Sequence, residues 1–262
     1  MEEVSPAVAP DINGYKFSNG KWQTESLPVP KEFNITVYIN RVELVTIMCS
    51  PTKLNCLVLG YLYSEGIIKD MKDVISMRVC EDDALADVTL NQTDFKLPEK
   101  KVLTSGCGRG VSFSLDTPKI DSNISLPPEK ILGLMRQLLE NASAYNLSGG
   151  IHTSAICDND GIIAIADDIG RHNTLDKLLG ECLLRKIATK DKILLTSGRV
   201  SSEMLRKAAR MQAPIVGSMT SPTERAVIIA RETGITLIGY IRGNHLTVYS
   251  KPERLQAVIS ND

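Results

Sequence analysis

Between residues 193 and 240, short apolar runs alternate with helical stretches. Ile193-Leu194-Leu195 feeds Thr196-Ser197-Gly198-Arg199 and a helix from Ser202. Ile215-Val216-Gly217 feeds Thr220-Ser221-Pro222-Thr223-Glu224 and a helix to Arg231, and Ile235 to Tyr240 is the next strand. Strands separated by helices pair side by side through right-handed crossovers, so a parallel sheet is expected. In such sheets ligands bind beyond the carboxyl ends of the strands, which makes the strand-to-helix loops the first place to look for function.

The most polar of these loops is Asp167-Asp168-Ile169-Gly170-Arg171-His172-Asn173. It lies between an apolar run (Gly161 to Ala166) and a helix over Leu175 to Lys186. Asn173 with Asp176 three residues on reads as a capping pair. Ser221 to Glu224 reads as a capping box in the same way. Helix N-termini offer N–H groups and partial positive charge, which suit phosphate, and Arg171 and Arg199 can add bidentate contacts. The turn Arg242-Gly243-Asn244-His245 closes the same edge. Four converging loops with three basic groups point to a phosphate-bearing ligand.

The rest of the chain frames this lobe. Residues 1–30 carry Pro6, Pro10, Pro28 and Pro30 and read as a flexible arm. Asn34 to Met48 reads as a hairpin turning at Asn40-Arg41. Ser50-Pro51 is expected to cap a helix through Leu54, Leu57, Val58, Tyr61 and Leu62 that Gly66 ends. Short strands follow at Ile75 to Cys80 and Asp87 to Leu90. Pro128 to Asn141 is an amphipathic helix. Thr153 to Cys157 and Gly161 to Ala166 form a hairpin, and Leu246 to Tyr249 is a last strand. The expected organisation is an α/β protein: an arm over 1–30, a smaller α+β lobe over 31–146 and an α/β lobe over 147–262.

Bulk properties narrow the function classes. With 262 residues, a 43% apolar and 23% charged composition and a net charge of −1, the chain reads as an ordinary globule without a bulk electrostatic grip on nucleic acid. No stretch approaches a bilayer span, and MEEVSPAVAP lacks the basic start and apolar core of a signal peptide, so a cytoplasmic protein is expected. Six cysteines are scattered without a Cys-x-x-Cys pair, which fits reduced thiols. Cys49, Cys56 and Cys182 sit in apolar runs and read as core. Cys107 differs. It lies in Thr104-Ser105-Gly106-Cys107-Gly108-Arg109-Gly110, where small neighbours give access and Arg109 favours the thiolate, as a nucleophilic or sulfur-carrying cysteine requires.

No zinc-deaminase signature, nucleophile elbow or P-loop is present, and no metal is expected. His152 and His172 remain as acid/base or hydrogen-bonding groups. On the residues alone, a nucleotide hydrolase or deaminase using Asp168 and His172 as its acid/base pair stays open beside a non-catalytic nucleotide-binding scaffold.

Seven segments resemble the FdhD family in its motif order: SEGII (64–68), SGCG (105–108), SGGIH (148–152), DDIGRHNTLDKLLG (167–180), TSGRVSSEM (196–204), TSPTERA (220–226) and GYIRGNHLTVY (239–249). The resemblance implies a sulfur carrier required for active formate dehydrogenase. A cysteine desulfurase would supply persulfide sulfur, and the carrier would pass it to the molybdenum bis-guanine-dinucleotide cofactor. It also implies a cytidine-deaminase-like, three-layer C-terminal lobe without zinc, and a homodimer. Cys107 matches the persulfide-carrying cysteine. Tyr240, Ile241, Arg242, Gly243, Asn244 and His245 match a cofactor-binding segment, to which Arg171, His172, Ser197, Arg199 and Ser221 add the phosphate-suited loops. Two positions depart from the pattern. Gly110 stands where many members carry a second cysteine, so an internal disulfide in this loop is excluded. His245 stands where a longer basic residue is common. A cofactor-binding insertion chaperone without sulfur transfer is the alternative that Gly110 favours.

Overall fold

A computed structural model of the chain describes residues 9–92, 101–103, 111–113 and 117–256. The arm expected to be flexible carries an antiparallel hairpin of β1 (Asp11–Ser18) and β2 (Lys21–Pro28). Asn19 and Gly20 link them at φ 52° and 77°. Two positive-φ residues make the turn whose twist matches paired strands, and Asn-Gly is the pair that adopts it most easily. The prolines around it only bound the hairpin.

β3 (Phe33–Ile39) and β4 (Val42–Cys49) form the expected second hairpin, turned at Asn40-Arg41. Helix α1 (Leu54–Ser64) follows, then a single 3-10 turn at Met71–Asp73, β5 (Val74–Cys80) and β6 (Leu85–Leu90). These strands make a sheet in the order β4-β3-β6-β5. Ser50 does not cap α1, which begins after Lys53 in the left-handed region (φ 49°). Ser50 is used elsewhere: its Oγ accepts the Ile169 N–H at 3.1 Å, and its own N–H donates to Asp168 at 3.0 Å. β7 (Lys101–Leu103) and β8 (Val111–Phe113) pair as a short ribbon. Cys107, Arg109 and Gly110 lie outside the described residues.

Then come α2 (Pro128–Asn141), α3 (Ser143–Ser148), β9 (His152–Cys157), β10 (Ile162–Asp168), α4 (Arg171–Leu184), β11 (Ile193–Thr196), α5 (Ser202–Arg210), β12 (Ile215–Ser218), α6 (Glu224–Thr233), β13 (Thr236–Arg242) and β14 (His245–Ser250). The large sheet runs β10-β9-β11-β12-β13-β14. Only β11, β12 and β13 are parallel neighbours; β9 and β14 run against theirs. The expected parallel pairing of the strands from Ile193, Ile215 and Ile235 is thus observed, as is the hairpin before them. Hairpins at either end of the parallel segment add antiparallel strands, since a hairpin needs only a short turn.

Helices cover both faces. Leu175, Leu178 and Leu179 of α4, Met204, Leu205 and Ala208 of α5, and Ala226, Ile229 and Ala230 of α6 pack on one side against Ile156, Leu194, Val216 and Leu237. On the other side Ile131, Leu134, Met135 and Leu138 of α2 pack against Ala155, Ile193, Leu195, Ile215 and Ile238. α2, which the sequence boundary assigns to the smaller lobe, therefore serves the large sheet.

The two sheets are joined by α1 and α4. α1 is buried nearly all round, from Leu54 to Leu62, because one side meets the small sheet and the other meets α4. The helices cross through two glycines. A Cβ on Gly60 would stand 1.8 Å from the Asp176 carbonyl oxygen, and one on Gly180 would stand 1.9 Å from that of Cys56. Neither position can hold a side chain without parting the helices. Among the described residues no helix is long and apolar enough to cross a membrane.

Candidate functional site

β10, β11, β12 and β13 all run in one direction, so their carboxyl ends, together with the start of β9, meet at one rim. Backbone contacts tie the rim loops together. The Ser218 hydroxyl donates to the Gly198 carbonyl at 2.7 Å, Met219 N–H to Thr196 O at 3.2 Å, and Tyr240 N–H to Thr220 O at 3.1 Å. Gly198 lets the loop after β11 lie against β9 and α4. A Cβ there would come within 3.1 Å of both Arg171 Cβ and His152 Nδ1.

The expected cofactor-binding residues lie on these rim loops but are not alike. Arg199, Tyr240, Arg242, Gly243, Asn244 and His245 are exposed, and Arg171, His172 and Ser221 are half-buried. Arg242 is steadied by its Nε, which donates to Met219 O at 2.9 Å. Tyr240 sits at φ 52° on the irregularity in β13–β14 pairing, and its ring stays 44% exposed. A bulky residue in the left-handed region is a strained choice that clusters at ligand sites, and here it holds the ring out from the strand. Ile241 points the other way. Its side chain is buried in the core, where a Cβ on Gly217 would meet its Cδ1 at 2.7 Å. Ile241 belongs to the segment through its backbone. Ser197 is also turned inward: its hydroxyl accepts the Thr153 N–H at 3.0 Å, and its N–H returns a bond to Thr153 O at 2.8 Å.

Both expected caps are corrected. α4 is capped by Gly170 without a side-chain hydrogen bond. Asn173 instead donates its amide to Met48 O and Asp168 Oδ1, each at 2.8 Å. Thr223, not Ser221, caps α6 by accepting the Ala226 N–H at 3.3 Å. In both cases the residue beside the helix start is committed to a longer-range contact or displaced by a better-placed hydroxyl.

Asp168 and His172 do not form an acid/base pair. Asp168 is fully buried and lies 2.6 Å from Lys177 Nζ, and it also accepts N–H groups from Ser50 and Gly170. Lys177 in turn donates to Ser50 O, Thr52 Oγ1 and Asp167 O. Breaking a buried pair of this kind costs about 3–5 kcal/mol, so its role is to fasten the rim loop to the small sheet. Beneath it Lys207 lies 2.7 and 2.6 Å from the two Asp176 oxygens. Burial works against the Lys207 ammonium, yet Asp176, Glu65 and Glu203 hold its pKa above the ordinary range.

His172 directs Nε2 to Ser201 Oγ (3.1 Å) and Glu203 Oε2 (3.4 Å). Burial, followed by the positive charge of Lys207 and Arg171, pushes its pKa down to about 3. Burial, then Arg171, lowers that of His152 as well. Both rings are neutral hydrogen-bonding groups near neutrality. Ser201, Glu203, Lys177 and Lys207 were not singled out from sequence. The available signal was charged residues on helix faces otherwise made of Leu, Met and Ala.

The described thiols offer no nucleophile at the rim. Cys49, Cys56, Cys157 and Cys182 are buried. Burial raises their pKa values, to about 12 for Cys49 and Cys157 and about 11 for Cys182. Cys80 is half-buried and donates to Asp83 Oδ2. Among the described residues no three His, Cys, Asp or Glu side chains are grouped as a metal site needs. At the far end of the sheet a cleft of about 560 Å³ is lined by Asp121, Asp158, Asp160 and Asp191, which outnumber Lys190 and Lys192. Its carboxylates disfavour phosphate, so volume alone does not mark the site.

Geometry and charge together define an α/β protein with an arginine- and imidazole-bearing rim suited to an anion. The model of the FdhD/NarQ family matches residues 30–256, and the chain belongs to that family. It is 39% identical over 236 residues to the sulfur carrier protein FdhD of Bacillus subtilis, covering 86% of this chain and 89% of that one. It is also 39% identical over 250 residues to the protein of the same name from Listeria innocua, covering 92% and 96%. Among solved structures, a crystal structure described as a formate dehydrogenase accessory protein from Desulfotalea psychrophila superposes with a TM-score of 0.78 at 25% identity, over 95% of this chain and 99% of that one.

Proposed function

We propose that this chain is a cytoplasmic sulfur carrier for formate dehydrogenase. In this reading a cysteine desulfurase loads Cys107 with persulfide sulfur. The rim binds the molybdenum bis-guanine-dinucleotide as substrate, and Cys107 passes the sulfur to its metal. The protein acts as a homodimer, and its three-layer lobe is a zinc-free relative of the cytidine-deaminase fold.

One observation carries the reading: a family match over residues 30–256 whose relatives are named sulfur carriers. The rim supports it. A guanine dinucleotide brings a pyrophosphate and two large aromatic bases. Arg171, Arg199 and Arg242 suit the first, and the outward ring of Tyr240 suits the second.

GDP serves as the probe. Arg242→Glu is expected to weaken GDP binding at least about tenfold by calorimetry, the size of one lost charge-assisted hydrogen bond. Lys186→Glu, just past the far end of α4, should leave it unchanged. Equal affinity in Arg242→Glu and the native protein would reject the rim as the dock.

A second reading, a cofactor-binding insertion chaperone, keeps the dock and drops the sulfur. Gly110, in place of a second loop cysteine, is what favours it. The hydrolase reading has no support, because Asp168 is locked to Lys177.

A further inference from the structure

The loop after β11 is pinned on both sides of one exposed residue. From Ile193 to Ser201 every residue is buried except Arg199. On one side Gly198 has both backbone polar groups spent inside the protein. Its N–H donates to Thr196 Oγ1 at 3.2 Å, and its carbonyl accepts the Ser218 hydroxyl at 2.7 Å. On the other side Val200 O accepts the Thr223 N–H at 2.9 Å, and Val200 bridges to Pro222.

Thr196 and Ser218 are fully buried and stand side by side in the register of β11 and β12. Each serves a second segment. Thr196 Oγ1 also accepts the Ser154 hydroxyl of β9 at 2.9 Å. Ser218 Oγ also accepts the Thr220 N–H at 2.9 Å, and Thr220 O receives the Tyr240 N–H at 3.1 Å. Buried hydroxyls thus tie β9 and the loops carrying Gly198, Thr220 and Tyr240 into one hydrogen-bonded chain beneath the rim. A buried network of this kind rigidifies the elements it joins.

We propose that Thr196 and Ser218 are positioning residues that hold the backbone of Arg199 in place for an anionic ligand before the ligand arrives. The Gly198 N–H is turned inward, so this loop offers the anion an arginine side chain rather than that backbone donor. Fixing the backbone beforehand lowers the ordering cost of binding. The inference rests on the nucleotide reading above, which supplies the anion.

Thr196→Val keeps the shape of the side chain and removes the acceptor, whereas Thr196→Ser keeps the acceptor. In calorimetry Thr196→Val is expected to bind GDP about tenfold more weakly than the native protein, and Thr196→Ser about as well as it. A loss transmitted through Arg199 vanishes once that side chain is gone. Thr196→Val combined with Arg199→Ala should therefore bind no more weakly than Arg199→Ala alone. Additive losses, or native affinity in Thr196→Val, overturn the proposal. Amide hydrogen exchange on the native protein needs no variant to fold. The Gly198 N–H should exchange slowly without nucleotide and no differently with GDP. An N–H that exchanges fast until GDP is added overturns the proposal, because the ligand would then be what orders the loop. A slow Gly198 N–H in protein that binds no GDP supports the pinned loop and rejects the nucleotide reading.

Discussion

Cys107→Ala protein is expected to bind GDP with native affinity and to yield formate dehydrogenase no more active than cells lacking the carrier. The size of the loss follows from the other thiols. Cys49, Cys56, Cys157 and Cys182 are buried and held protonated by burial. Sulfur is carried by a thiolate with access to donor and acceptor, and none of the four has both. Cys80 has partial access, but it stands on the small sheet, away from the rim loops, with its thiol donating to Asp83 Oδ2 at 3.1 Å. No described cysteine can stand in, so the loss should be complete rather than graded. The measurement is formate oxidation in extracts of a strain whose own carrier gene is deleted, with GDP calorimetry on the same variant. Full activation by Cys107→Ala would reject the assignment of sulfur to that residue.

The second large effect is on stability. Gly60→Ala and Gly180→Ala are each expected to destabilise the protein by about 3 kcal/mol or more, at the upper end of overpacking costs. Helix propensity predicts the opposite sign, because alanine gains about 1 kcal/mol over glycine inside a helix. Sterics decide. The new methyl would lie 1.8 Å from the Asp176 carbonyl oxygen in one case and 1.9 Å from that of Cys56 in the other. Both obstacles are backbone, so no rotamer change relieves them. Parting α1 from α4 would also disturb Ser64 and Asp176, whose side chains meet at 2.7 Å, and the Lys207 pair behind them. Gly133 in α2 is the control, with nothing within 4 Å of its Cβ position. Gly133→Ala should be neutral or slightly stabilising in urea unfolding. Comparable midpoints for all three variants would contradict the account of the crossing.

What the sequence made legible was local. The hairpin of β3 and β4, the amphipathic α2, the hairpin of β9 and β10 and the strand-to-helix alternation from Ile193 all follow from period and turn chemistry. Convergence of the loops on one rim follows too, because it needs only strand direction. The errors arose where a residue's partner is distant in sequence. Ser50 and Asn173 have the chemistry of caps, but Asp168, Ile169 and Met48 claim them across the two sheets. Asp168 reads as a catalytic carboxylate because Lys177, nearly two turns into α4, gives no sign in sequence of being buried. Gly60 and Gly180 carry no local signal at all, since a close helix crossing is defined by two segments at once. Ile241 and Ser197 sit in matching motifs, yet their side chains face the core, which a motif cannot specify. Asn19-Gly20 was a readable turn, obscured by the prolines at either side.

Sulfur on Cys107 is the claim on which everything else depends. Intact-protein and peptide mass spectrometry after incubation with a cysteine desulfurase and cysteine tests it directly. The account predicts a gain of one sulfur atom, located on the Cys107 peptide and removed by a reducing thiol. An unmodified Cys107 peptide, from protein that still binds GDP, would contradict it and leave the insertion chaperone as the function of this chain.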